Sequence, residues 1–181
     1  MKVITLAIVL LIGCSDIPTE NTNSSKPGPE VAIAKGDTFS EDVGVPYFFQ
    51  YSNLLYPGSS CQNTSVAMVL AYIGWNGIPD DITSSWGKNY AQSPHNLSDM
   101  FNNIAESEGL SGRLVTDTNG SLDEFRLKAT RGDVLIVHGY FTGYGHVLVV
   151  TGFDGTHYIT NDPAGVWRGT FRGGYGWSDR S

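Results

Sequence analysis

Ser60-Cys61-Gln62-Asn63-Thr64-Ser65-Val66-Ala67-Met68-Val69-Leu70 is the stretch that decides the fold. Small polar residues open it and an apolar run follows. Val66, Met68, Val69, Leu70, Tyr72 and Ile73 make the predicted helix apolar on most of its sides, so it belongs in a core and not on a surface. Pro57-Gly58 marks a turn before it, and Gly74 is placed to cap its end. Cys61 therefore opens a buried helix, at the positive end of the helix dipole, where a thiolate is favoured.

Reading outward, Val45-Pro46-Tyr47-Phe48-Phe49-Gln50 is an extended lead-in, with Pro46 barring a central ladder position. Downstream, a short helix is expected within Asp81–Tyr90 around Trp86. An amphipathic helix is expected over Ser98–Glu108, capped by Ser98, and the capping box Ser121-Leu122-Asp123-Glu124 opens another that ends near Gly132. The period then changes. Asp133–His138, His146–Thr151 and Tyr158–Asn161 read as strands, with turns at Gly143-Tyr144-Gly145 and Asp154-Gly155. Helices first and strands later predict an α+β domain, its N-terminal helices packed on an antiparallel sheet.

The chain holds two cysteines, Cys14 and Cys61. Lys2 and the apolar run from Val3 to Ile12, too short to span a bilayer, read as an export signal. Leu11-Ile12-Gly13-Cys14 resembles the lipobox of bacterial lipoproteins. That resemblance implies a signal peptide over 1–13, a lipidated Cys14, and anchoring in the cell envelope on the extracytoplasmic side. Ser15 after Cys14 favours the outer membrane in a Gram-negative host. Membrane affinity would then come from acyl chains, at about 0.8 kcal/mol for each buried methylene. From 14 to 44 the composition is rich in Pro, Ser, Thr, Asn, Glu and Gly, too polar to offset its ordering entropy. It reads as a tether whose roughly 28 residues reach about 30 Å. Residues 45–181 are one domain's worth of chain. The net charge of −7 argues against nucleic acid and against an anionic membrane face.

With Cys14 taken by lipid, Cys61 is the only thiol left, and outside the cytoplasm it has no internal disulfide partner. Nucleophilic catalysis is a leading reason for such a residue. A thiolate needs a histidine to hold its proton, a group to orient the imidazole, and donors for the oxyanion. His146 begins a strand after a glycine turn, Asp162 ends the next strand before Pro163, and Gln50 lies in the lead-in.

Val45–Gln50, Ser60–Leu70, Gly145-His146-Val147-Leu148-Val149-Val150-Thr151-Gly152-Phe153-Asp154 and Asn161-Asp162-Pro163 together resemble the stand-alone branch of the bacteriocin-processing cysteine peptidase family (peptidase family C thirty-nine). The resemblance covers nearly all of the chain after the tether and implies a papain-like fold. It implies Cys61 as nucleophile, His146 as general base and acid, Asp162 as the carboxylate that orients the imidazole, and Gln50 as side-chain oxyanion donor beside the Cys61 backbone N–H. Many members carry a glycine after the cysteine, where this chain has Gln62. Transporter-fused members cleave after double-glycine leaders. No transporter domain is present here, so that substrate does not carry over, and Gly173-Gly174 reads as loop.

Blander alternatives stand beside these. Cys61 as a small buried hydrophobe and His146 as a satisfied strand histidine are the ordinary ones. Asn161 rivals Asp162, because papain-like enzymes also orient histidine with asparagine. His138 reads as structural or groove-lining, and His95 and His157 as surface. Trp75, Trp86, Trp167 and Trp177 read as core or cleft rim. Asp80-Asp81 reads as a helix N-terminus and not a metal site. The expected protein is thus a monomeric thiol peptidase or amidase without cofactor or metal, held to the membrane through Cys14. A peptide, a protein or the peptide part of peptidoglycan is its expected substrate. A transglutaminase-like acyl transferase and a catalytically silent binding or inhibitor lipoprotein are the alternatives.

Overall fold

The computed structural model describes residues 7–12, 43–140, 145–165 and 177–179. Cys14, the tether up to residue 42, the Gly143-Tyr144 turn, Trp167 and Gly173-Gly174 lie outside the described residues. In chain order the elements are β1 (Ala7–Ile12), α1 (Cys61–Tyr72), α2 (Pro79–Trp86), α3 (Pro94–Ser107), β2 (Arg113–Asp117), α4 (Leu122–Thr130), β3 (Leu135–Gly139), β4 (His146–Phe153), β5 (Tyr158–Asn161) and β6 (Trp177–Asp179). Short 3-10 turns occupy Gln50–Ser52, Pro57–Ser59 and Tyr90–Gln92. The fold is α+β and papain-like, with helices on a sheet of order β2-β1-β3-β4-β5-β6. Its pairs are antiparallel except β5 with β6, which run parallel. Among the described residues no helix is long and apolar enough to cross a membrane.

The period-2 alternation of β3 and β4 explains the two-sided core. Ile136, Val147 and Val149 join the cluster built with Val66, Met68 and Phe101 on the α1–α3 side. Leu135, Val137, Leu148 and Val150 pack with Phe125 and Ala129 of α4 on the other face. Strands covered on both faces read as continuous apolar runs, as Val147-Leu148-Val149-Val150 does. The helix α1 is buried without a break from Gln62 to Leu70.

Two helix starts differ from the expected ones. The third helix begins at Pro94, and its cap is Ser93, whose hydroxyl accepts the Asn96 N–H at 3.2 Å. Pro94 at the first helical position brings a φ already suited to the helix. Ser98, expected as the cap, lies inside α3 and is bonded to the His95 carbonyl and the Thr116 hydroxyl. The second helix runs Pro79–Trp86 and stops at Gly87, whose φ of 74° suits glycine. Its first turn uses the two aspartates differently. Asp81 accepts the Ile78 N–H, while the Asp80 carboxylate takes the N–H groups of Leu54 and Leu55, pinning the loop before Pro57.

Three strands lie outside the sequence reading. Arg113–Asp117 is short and buries Leu114 alone, with Val115 beside it exposed, so it carries little pattern. Trp177–Asp179 adds three residues at the sheet edge. Ala7–Ile12, the apolar run of the signal reading, occupies the position between β2 and β3, with Leu10 opposite both Val115 and Leu135. Six consecutive apolar residues suit an inner strand as well as they suit an export signal.

Candidate active site

Cys61 is half-buried at the first position of α1. The turn before it is braced by Asn53, whose amide donates to the Ser60 hydroxyl at 3.0 Å and the Thr64 hydroxyl at 2.9 Å. The Ser60 side chain makes no cap bond to α1. The N–H groups at the start of the helix are therefore left for another acceptor, which is how a helix N-terminus becomes an anion site. Ser65, one turn further along α1, donates its hydroxyl to the Val147 carbonyl at 3.2 Å. This bond ties the cysteine's helix to the strand that His146 begins. The sequence signal for it was a hydroxyl in a helix buried on all sides, since a buried polar group must find a partner.

His146 follows Gly145, whose φ of 79° allows the chain to turn into β4. Its Nε2 lies 2.6 Å from Oδ1 of Asp162, and both side chains are nearly buried. With Nε2 engaged by the carboxylate, Nδ1 is the ring nitrogen left to face Cys61, whose sulfur is close enough to act on the imidazole. Burial alone pulls the imidazole towards neutrality. The hydrogen bonds to Asp162 and Cys61, and the negative charges of the same two groups, outweigh it and push His146 up to about 9.

Asp162 is held from several sides. The Ala164 N–H donates to its Oδ1 at 2.8 Å, and the Tyr47 hydroxyl and the Gly165 N–H donate to its carbonyl oxygen. The lead-in is latched to the same loop, because the Gln50 N–H donates to the Pro163 carbonyl at 2.8 Å. Asn161, the rival orienting residue, is turned the other way. Its amide donates to the Val45 carbonyl at 2.9 Å in a buried contact, so it fastens the lead-in and does not meet the imidazole.

The structure thus brings Cys61, His146 and Asp162 together. Gln50 is placed on the turn leading to the cysteine. It is buried, its Nε2 donates to the Pro57 carbonyl at 2.9 Å, and its Oε1 has no partner. One amide proton of Gln50 is thereby committed and the second is not. Gln62 is buried beside Cys61. His138 lies on β3, pushed down to about 4 by burial, with its Nε2 buried and unpartnered. Among the described residues no group of three or more His, Cys, Asp or Glu side chains is arranged to hold a metal ion.

The Peptidase_C39 like family matches residues 43–179. The chain belongs to that family. The match spans the lead-in, α1, the histidine strand and the Asp162 loop, and a cysteine peptidase is the activity the family suggests. No curated protein and no solved structure matches the chain.

Proposed function

We propose that this family member is an envelope-tethered thiol peptidase or amidase that hydrolyses a peptide bond through a thioester on Cys61. The observation that carries the reading is the Cys61–His146–Asp162 array, in which the carboxylate and the sulfur together keep the imidazole charged near neutral pH. The thiolate of Cys61 attacks the peptide carbonyl, and the electron pair moves to oxygen. That oxyanion is received by the Cys61 backbone N–H and the uncommitted amide proton of Gln50. Collapse breaks the C–N bond, and His146 gives its proton to the leaving amine. Water then attacks the thioester, with His146 taking its proton, and the thiol is restored.

Exposed apolar side chains are frequent in the segment that leads to Cys61. Tyr47, Phe49, Tyr51, Leu54, Leu55 and Tyr56 are all at least partly open to solvent in the segment just before Cys61. Exposed apolar side chains in that segment suit a peptide with apolar side chains. The lipobox resemblance of residues 11–14 supports attachment to the membrane through Cys14, where exported peptides, proteins and peptidoglycan peptides are within a tether's reach.

The test is the pH dependence of Cys61 alkylation in the protein and in His146→Ala. Rapid labelling in the mildly acidic range that disappears in the variant supports the thiolate–imidazolium pair and opens a screen of peptides and peptidoglycan fragments. Slow labelling that the variant leaves unchanged would rule the array out as a working nucleophile and favour a silent binding protein.

A further inference from the structure

Gln62 stands against the sulfur of Cys61, and its role here rests on Cys61 being the nucleophile. Its side chain is only 4% exposed, so it does not project into the cleft. The Cys61 thiol donates to Gln62 Oε1 at 3.3 Å. On the other side, Gln62 Nε2 donates to the Ser59 carbonyl at 3.3 Å and to the Lys88 carbonyl. Turning the amide over would set Oε1 against two carbonyl oxygens, so its orientation is fixed by the network. Both amide protons are spent, and all that Gln62 can offer the sulfur is an oxygen lone pair.

A lone pair stabilises S–H and repels S⁻. Cys61 therefore has two competing acceptors, Gln62 Oε1 and the imidazole of His146. While the proton sits on sulfur the Gln62 contact is a hydrogen bond. Once the proton has passed to His146, the same contact sets a carbonyl oxygen against a thiolate. We propose that Gln62 is a positioning residue whose Oε1 favours the protonated sulfur and so limits how much of the enzyme stands as the thiolate–imidazolium pair. Its anchors reach the turn before α1 through Ser59 and the loop after α2 through Lys88, so the acceptor is held rigidly.

The experiment is the pH profile of iodoacetamide labelling at Cys61 in the full chain, read by peptide mass so that Cys14 is scored separately. Gln62→Met keeps the length and removes the acceptor. Loss of one hydrogen bond to the thiol is expected to speed labelling about 3- to 10-fold on the acidic limb and move its onset to lower pH. Gln62→Glu places a carboxylate on the sulfur and is expected to move the onset to higher pH. A Gln62→Met profile that superimposes on the parent's, or moves to higher pH, overturns the proposal. If Gln62→Met does not fold, Gln62→Glu decides alone, and no shift or a downward one overturns it. A merely structural role would move both variants the same way. His146→Ala, run in the same series, separates the two ideas. A parent profile indifferent to His146 removes the nucleophile reading, while the Gln62→Met comparison still reports on the thiol's acceptor.

Discussion

His138 and His146 sit on neighbouring strands, one register step apart, with His138 opposite Val147 and Gly139 opposite His146. Both rings are largely buried, yet one is pushed down to about 4 and the other up to about 9. Burial disfavours the charged imidazole in each case. The difference is the company. His146 has a carboxylate on one nitrogen and a thiol for the other, whereas the Nε2 of His138 has no partner. Proximity to a cysteine's helix does not make a histidine an acid–base group. A charged partner on the far nitrogen is what keeps the imidazole protonated at neutral pH.

The largest effect should come from breaking the paired side. His146→Ala is expected to lower peptide turnover by about 10²- to 10⁴-fold, the usual worth of a general acid–base group, while His138→Gln leaves turnover unchanged; steady-state rates on a cleaved peptide check both. Asp162→Asn sharpens the comparison without emptying the site. It keeps a side chain on Nε2 but removes the charge, so the His146 titration should fall from about 9 towards the ordinary histidine value. The His138 titration should stay near 4, and ring-proton NMR across pH reads both.

Stability carries the same contrast with opposite signs. The folded-state value of His146 is raised, so its contribution is fully present below pH 6.5 and is lost as pH rises through about 9. The folded-state value of His138 is lowered, so it weakens the fold as pH falls from 6.5 towards about 4. Each is worth roughly 3–4 kcal/mol across its window. Urea unfolding as a function of pH should show the alkaline limb flattened in His146→Ala and the acid limb flattened in His138→Gln. The smallest expected effect concerns β1, which pairs with β3 at His138 and makes no pair with β4. A chain beginning at Cys14 should return the His138 titration part of the way to the ordinary value and leave that of His146 in place. Equal movement of both would show that β1 supports the whole sheet and not its far side.

Much of the fold was legible in the residues alone. The α1 stretch announced itself because nine consecutive residues, Gln62 to Leu70, are buried and most carry apolar side chains. The strands β4 and β5 were legible from apolar runs ending in Asp-Gly and Asp-Pro. The start of α3 was not, because two serines each suit a cap and the choice fell to Pro94. Arg113–Asp117 was not, because an exposed–buried–exposed strand of five residues looks like loop. At the site, residue types and a family resemblance picked out Cys61, His146 and Asp162. The roles of Asn53 and Tyr47 had no local signal, because each acts on a partner distant in the chain or in the turn beside it.

By itself the sequence determined the chemistry on offer: one thiol at a helix start, a histidine at a strand start, a carboxylate at a strand end, and an α+β order of elements. Those are properties of residue type and local periodicity. Tertiary structure decided between near-equivalents. It turned Asp162 to the imidazole and Asn161 to the Val45 carbonyl, made His146 basic and left His138 neutral, and folded Gln62 onto the sulfur and not into the cleft. The physical reason is that a proton's preference depends on which charges and dipoles lie within a few ångströms, and those neighbours come from segments the sequence holds far apart.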